Sequence, residues 1–318
     1  MRARAERIGA TDAQMDATMG NLLLIDGSSF FWRAFHVYAD RRRADGMPVN
    51  AVEGLLSMTV KPIIERNAAS HVAVVFDASG PTFRHALHPG YKANRPPPPE
   101  DLVAQKPLVG EAVRAYGLPY VTMAGCEADD VIATLTRQAV EAGHTVYIAT
   151  PDKDLMQLVR PGVALFNHKT KTIVREAQVE EKFGVRPERV VDVQALMGDA
   201  SDNIPGVPRI GLKTAAELIQ RYGDLEGVLA AANGEEIKQK ARREALIQHA
   251  EDARLSYRLA QLKDDVALEV ALDDLAITAP PPDMRDYLAS QGLPLSLVPR
   301  MSRRFPEWRL EERVVEPA

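Results

Sequence analysis

Nine acidic side chains, Asp26, Asp77, Glu127, Asp129, Asp130, Asp152, Asp154, Asp199 and Asp202, are candidates for a single metal-binding chemistry. Seven of them fall in tight groups, Glu127-Ala128-Asp129-Asp130, Asp152-Lys153-Asp154 and Gly198-Asp199-Ala200-Ser201-Asp202-Asn203. Carboxylates gathered into one crevice repel one another, so such a site makes sense only if cations neutralise it. No histidine shows ligand-like spacing beside these acids, and the single cysteine, Cys126, cannot build a zinc site alone. Oxygen-only donors select hard cations such as Mg²⁺ or Mn²⁺. Two of these about 4 Å apart can stabilise both the attacking and the leaving oxygen of an in-line displacement at phosphorus. Each acid taken singly has a plainer reading. Asp is a good helix N-cap, acids in a first helical turn are favoured by the helix dipole, and a lone Asp-x-Asp is common on surfaces.

The elements that would position these acids are readable from apolar runs. Leu22-Leu23-Leu24-Ile25 ends in Asp26-Gly27, Val72-Ala73-Val74-Val75-Phe76 ends in Asp77, and Val146-Tyr147-Ile148-Ala149 leads into Thr150-Pro151-Asp152. Each run predicts a buried strand, and helical patterns lie near 51–66 and 128–142. Strands alternating with helices predict an α/β fold, a mostly parallel central sheet flanked by helices. Ligands of such sheets collect beyond the carboxyl ends of the strands, where Asp26, Asp77 and Asp152 stand.

Four prolines, Pro96 to Pro99, follow a segment dense in Arg, His, Tyr and Lys and hold a stiff, extended path into Glu100-Asp101, the first turn of a new helix. Residues 83–118 therefore read as an excursion from the sheet. From about 187 the pattern is helical, with Gly and Pro punctuation at 205–211. Val266, Leu268, Val270 and Leu272 alternate with polar or small residues and predict a late strand or extended segment. The expected organisation is a flexible extension over 1–19, a core over 20–186, a helical subdomain over 187–262, and a return segment and tail over 263–318.

The 318 residues, 46% of them hydrophobic, suffice for a sizeable core. No stretch approaches the roughly 18 apolar residues of a membrane span, and the lone cysteine suits a reducing compartment, so the expected location is the cytoplasm. The net charge of −5 gives no basic footprint by itself, but with the nine acids set aside the remainder is net positive by four. Cys126 reads as a small buried neighbour of Glu127 rather than a nucleophile.

The ordered set Asp26-Gly27, Val75-Phe76-Asp77, Phe83-Arg84-His85, Gly90-Tyr91-Lys92-Ala93-Asn94-Arg95, Glu127 to Asp130, Thr150 to Leu155, Gly198 to Asn203 and Pro205-Gly206-Val207 resembles the bacterial 5′-to-3′ exonuclease and flap endonuclease family. That family includes the 5′ nuclease domain of DNA polymerase I, and the likeness runs from about Asn21 to about Leu272, as a free-standing form of the domain.

The resemblance implies a PIN-like core, a helical arch over 83–118 and a helix-hairpin-helix. Asp26, Asp77, Glu127 and Asp129 would surround one metal and Asp152, Asp154 and Asp202 the second, with Asp129 near both and Asp130 and Asp199 acting through water. Lys92 and Arg95 match basic residues that approach the scissile phosphate, with Tyr91 and Arg84 in the same excursion. Trp32 falls where the family stacks an aromatic ring on a base, and Arg33 is a phosphate contact; stacking tolerates any base, as structure-selective binding requires. Gly206, Val207, Ile210, Gly211, Lys213 and Thr214 belong to a Gly-bearing turn that feeds a helix N-terminus able to hold a phosphate. The family often binds K⁺ here, whereas this chain has Pro208-Arg209 where Lys-Gly is common, which puts that ion in question. The implied partner is DNA with a 5′ flap, nick or free 5′ end, RNA-primed DNA included, acted on by a monomer with a DNA polymerase as candidate partner and no membrane contact. Two rival readings keep the fold: a DNA-junction binder without catalysis, and a single-strand ribonuclease.

Overall fold

The computed structural model describes residues 21–61, 69–167 and 172–298. The extension over 1–19, the end of the tail and the part of the 51–66 helix beyond 61 lie outside the described residues. In chain order the first elements are β1 (Asn21–Asp26), α1 (Gly27–Val37), α2 (Asn50–Leu55), β2 (His71–Asp77), α3 (Phe83–Leu87), α4 (Glu100–Ala104), α5 (Lys106–Ala115) and β3 (Tyr120–Met123). There follow α6 (Ala128–Glu141), β4 (Thr145–Ala149), β5 (Val163–Asn167), β6 (Thr172–Val174), α7 (Glu176–Phe183) and α8 (Val190–Met197). The described chain closes with α9 (Leu212–Tyr222), α10 (Leu225–Asn233), α11 (Lys240–Gln248), α12 (Ala250–Ala260) and α13 (Met284–Ser290). The fold is mixed α/β, its strands mostly parallel and flanked by helices.

The described residues divide into two compact units, one of Asp77–Pro97 with Thr122–Glu269, the other of the remaining segments. In the latter, β1 and β2 run parallel, with Leu22 opposite His71 and Asp26 opposite Val75. Leu24, Ile25 and Val72 through Val75 have no exposed surface, the mark of parallel strands buried on both faces and the reason these runs are continuously apolar. Chain direction reverses at once into α1. Gly27 is required there, because a Cβ would stand 2.2 Å from the Phe76 ring. Buried Gln105 ties α5 to α2, accepting from the Ala51 N–H at 2.8 Å and donating to Asn50 Oδ1 at 3.1 Å.

In the other unit β4 is parallel to β5, and β5 is antiparallel to the short edge strand β6. Helix α6 packs on β4 with Val131, Ile132, Leu135 and Ala139 buried. Helices α8, α9, α10 and α12 form the helical part predicted from residue 187 on. Within the same unit, Gln194 of α8 donates to Asp154, and Lys153 donates to Asp199.

Of the two readings for 266–272, a late strand or an extended segment, no strand is formed among the described residues. Val266, Leu268, Val270 and Leu272 are half-buried and the residues between them exposed, so the period-two pattern holds, but the chain has no ladder partner there and turns into a 3₁₀ turn at Leu272–Leu275. Alternation reports a two-sided environment, not hydrogen-bonded pairing. β3 and β6 escaped the sequence reading because they are only four and three residues long, and β5, as long as β4, escaped it too.

Candidate metal centre and nucleic-acid interface

All the acids predicted as metal ligands except Asp26 lie in the unit that contains α6. Their arrangement starts from the N-terminus of α6, whose first N–H groups need acceptors. Asp77, at the end of β2, accepts from the Ala128 N–H at 2.8 Å, fixing the strand end to a helix that begins 51 residues later. Asp130 accepts from the Glu127 N–H at 2.9 Å and closes a capping box. Asp130 is fully buried, and Arg84, 1% exposed, grips it with two hydrogen bonds of 2.7 and 2.8 Å. The Lys263 N–H adds a further bond at 3.0 Å, while Arg84 also donates to the carbonyls of Leu259 and Gln261. Burial disfavours the Arg84 charge, but Asp130 and Glu127 hold its pKa above the usual guanidinium value.

Arg84, expected in the same excursion as Lys92, and Asp130, expected to act through water, bond to each other and to backbone, with Glu127 3.4 Å from Arg84, and together they brace α6. Local sequence could not separate Asp130 from Asp129, because the separation depends on which face of the helix the rest of the chain covers.

Glu127 and Asp202 form the first cation-seeking pair. Lys92 directs its ammonium to Glu127 Oε1 at 2.5 Å and lies 3.7 Å from Asp202 Oδ2. Buried Tyr91 donates to Glu127 Oε2 at 3.0 Å and to Asp202 Oδ2 at 3.4 Å. Burial, then the negative charge of Glu127, pushes the Tyr91 phenol well above its ordinary value, so it stays a donor. Arg95 pairs with Asp202 as well.

Asp154 and Asp199 form the second pair. The Lys153 ammonium stands 2.9 Å from Asp154 Oδ1 and 2.8 Å from Asp199 Oδ2. Asp152 accepts from the Asp154 N–H at 2.9 Å, and burial followed by the Asp152 charge raises the Asp154 carboxyl above the usual range. Asp199 goes the other way. Burial pushes it up, yet the Lys153 ammonium and the Ser201 hydroxyl and N–H outweigh that and hold it down at about 2. Ser201 Oγ also lies 3.4 Å from Asp202 Oδ1, which links the two pairs. The loop carrying Asp199 and Asp202 is closed by reciprocal backbone bonds between Asp199 and Ile204.

Lysine ammonium groups thus sit between carboxylates drawn from separate segments of chain. With them in place, no set of three or more His, Cys, Asp and Glu side chains among the described residues is arranged to hold a metal ion. The donor set suits hard cations: every acceptor is oxygen, and each pair attracts a positive charge within hydrogen-bond distance. Sequence reading missed Lys153, Ser201 and Gln194. The signal for Lys153 was present, a lysine held between two aspartates; Gln194 Nε2, 2.6 Å from Asp154, gave none. Asp129 is half-buried in the first turn of α6. Cys126 is buried, its thiol pushed up to about 11 chiefly by burial, and so is no nucleophile.

In the other unit, Asp26 is 2% exposed and its carboxylate accepts from the Ser29 N–H at 3.0 Å, capping α1. Phe30 and Phe31 are core, whereas Trp32 is 47% exposed, flanked by His36 at 4.8 Å between ring centroids. Arg33 is half-buried, and its Nε has no hydrogen-bond partner among the described residues.

The turn between α8 and α9 has the anatomy of a hairpin. Val207 and Ile210 are buried anchors, and Pro208, Arg209, Gly211, Leu212 and Lys213 form an exposed tip, with Thr214 half-buried behind it. Gly206, at φ +62°, lies against Gly198, where a Cβ would come within 2.4 Å of the Gly198 nitrogen. Arg209 adopts φ +66°, the left-handed conformation that favours glycine, at the position where the family pattern has one. Arg209 thus takes, at this point of the turn, a φ that glycine adopts without strain.

A family model described as "5'-3' exonuclease, N-terminal resolvase-like domain" matches residues 21–184, and one described as "5'-3' exonuclease, C-terminal SAM fold" matches residues 185–283. The 5'-3' exonuclease of Aquifex aeolicus is 37% identical over 262 residues, 82% of this chain and 88% of that protein. DNA polymerase I of Rhizobium leguminosarum is 46% identical over 264 residues, 81% of this chain but 26% of the polymerase. The chain thus spans about a quarter of the length of its polymerase relatives. Among solved structures, the T5 D15 protein co-crystallised with metal ions shares the fold at TM-score 0.61 and 23% identity, over 76% of this chain and 89% of that one. The catalytic core of Rad2 in complex with DNA substrate matches at TM-score 0.58 and 16% identity, over 87% and 90%.

Proposed function

The chain belongs to the 5′-3′ exonuclease family, and from that premise we propose that it is a structure-selective 5′-to-3′ exonuclease and flap endonuclease that hydrolyses DNA phosphodiesters with two divalent cations, Mg²⁺ or Mn²⁺. The observation that carries this reading is the seating of Lys92 and Lys153 between pairs of carboxylates contributed by distant segments. Acids converge there so strongly that the chain's own cations are drawn in.

Asp77, Glu127 and Asp129 would hold one ion, and Asp152, Asp154 and Asp202 the other; the family pattern of the sequence adds Asp26 to the first. The cations supply Lewis-acid stabilisation to the attacking and the leaving oxygen of the phosphodiester. Lys92 and Arg95, which stand beside Glu127 and Asp202, would bring fixed positive charge to the phosphate, where negative charge develops. Tyr91, buried and bonded to two acids, orients Glu127 and Asp202 rather than touching substrate. Asp199 orients Lys153. Trp32 offers an exposed ring for stacking beside the cut, and the hairpin tip with Lys213 offers N–H groups and charge to duplex phosphates without reading bases. A K⁺ ion at this tip remains part of the reading, since Arg209 takes a φ that glycine adopts without strain. Free 5′ ends, flaps and nicks in replication or repair are the substrate class, the cytoplasm the place of action, and a DNA polymerase the working partner, in keeping with the polymerase relatives that carry a matching region.

Digestion of a labelled 5′-flap duplex by the pure protein tests the proposal. Cleavage is expected in Mg²⁺ or Mn²⁺, none in EDTA, and a loss of at least about 100-fold in Asp152→Ala. Flap binding in Ca²⁺ with no product in either active metal would identify a junction-binding protein instead, and preferential cleavage of single-stranded RNA a ribonuclease.

A further inference from the structure

Two loops that carry opposite charges of the candidate centre are sewn together by amides that none of the chemistry above requires. The segment Gly90–Arg95 delivers Lys92 and Arg95; the segment Asp199–Asn203 delivers Asp199 and Asp202. Asn203 donates its side-chain amide to the Gly90 carbonyl at 2.7 Å, and Asn94 donates its amide to the Ala200 carbonyl at 2.6 Å. Between these two clasps the Lys92 N–H donates to the Asp202 carbonyl at 2.9 Å. The arrangement is reciprocal, with each loop giving one asparagine and one carbonyl.

Both loops carry an unusual backbone conformation where the clasp joins them. Lys92 and Asn203 both have φ +56°, the left-handed region that non-glycine residues rarely enter. Asn tolerates this conformation better than most residues; Lys does not, and it persists there only where its surroundings hold it. Gly90 leaves room for the Asn203 amide, since a Cβ would stand 3.0 Å from its nitrogen. Relaxation of Lys92 to an ordinary negative φ would move its ammonium relative to Glu127 and Asp202.

We propose that Asn94 and Asn203 are positioning residues that lock Lys92 in its left-handed conformation against the Asp199–Asn203 loop, so that the lysine charge and the Asp202 carboxylate reach the centre as one preset unit. The inference rests on the nuclease reading for its catalytic consequence, but not for its structural one.

Asn203→Gly tests it cleanly, because glycine keeps φ +56° without strain and removes only the amide; Asn94→Ala removes the other clasp. The expected result for the double variant is a fall of about 10-fold or more in kcat on flap DNA with KM within about twofold and an unchanged Tm. In a Lys92→Ala background the same pair of substitutions should produce no further loss, because the clasp acts through Lys92. Amide hydrogen exchange supplies a readout without activity: the Lys92 N–H should lose at least about tenfold protection in Asn203→Gly. Wild-type kcat in the double variant, an undiminished loss in the Lys92→Ala background, or unchanged protection at Lys92 would overturn the proposal. A wild-type protein that cuts nothing, yet shows the loss of protection in Asn203→Gly, would sink the nuclease reading and leave the clasp standing.

Discussion

Lys153 illustrates how a side chain of ordinary type acquires a definite role from its neighbours. Its ammonium is shared between Asp154 and Asp199, and the two acids respond in opposite directions, Asp154 up and Asp199 down to about 2. Burial dominates for Asp154, while direct hydrogen bonds from Lys153 and Ser201 prevail for Asp199. A carboxylate whose folded pKa lies below its ordinary value of 3.8 stabilises the fold fully above that value, and the contribution fades as the pH falls toward 2. Allowing for partial exposure, the shift corresponds to about 1 to 2 kcal/mol. Asp199→Asn should therefore cost about that much in urea unfolding at pH 7 in EDTA. The difference from wild type should narrow steadily from about pH 4 to about pH 2; a pH-independent difference would refute the assignment.

Among the elements, the N-terminus of α6 carries the heaviest demand. Arg84 and Asp130 are buried together, and removal of one leaves an uncompensated charge inside the protein. Arg84→Met should destabilise by about 3 to 5 kcal/mol, and the pair Arg84→Met with Asp130→Leu should recover much of it, since two apolar side chains leave no buried charge. Chemical denaturation of the three proteins decides the point, and a double variant as unstable as the single one would show that the pair does more than neutralise itself.

The hairpin between α8 and α9 permits a sharper contrast. Gly206→Ala meets backbone at 2.4 Å with φ +62°, whereas Gly211 has open space around it and φ −96°. The first substitution should cost more than about 2 kcal/mol and the second less than about 0.5 kcal/mol. Gly211→Ala should nonetheless weaken duplex binding, because the tip is where phosphate approaches the backbone.

For the molecule as a whole, net charge says little about affinity for DNA. The chain carries −5, but nine of its 44 acidic residues are candidates for the metal centre, and exposed Arg209 and Lys213 stand at the hairpin tip. Lys213→Ala should lower the slope of log affinity against log salt by about one, as loss of a single phosphate contact requires. Trp32→Ala should leave that slope unchanged and weaken binding by about 1 to 3 kcal/mol through lost stacking. Fluorescence anisotropy across a salt series separates the two, and an altered slope in Trp32→Ala would remove the stacking role.

By itself the amino-acid sequence determined the strands ending in Asp26 and Asp77, the strand before Asp152, the helix opening at Ala128 and the turn to Glu100. Continuous apolar runs, Gly27 and the prolines act locally, so their consequences are written in neighbouring residues. The ordered acidic motifs likewise sufficed for the family. Tertiary structure alone decided which acids meet lysines, that Asp130 belongs to Arg84, that the alternating segment after Val266 has no strand partner, and that Asn94 and Asn203 clasp two loops more than a hundred residues apart in sequence. Those outcomes depend on burial and on donors from distant stretches of chain, which no local pattern of residues encodes.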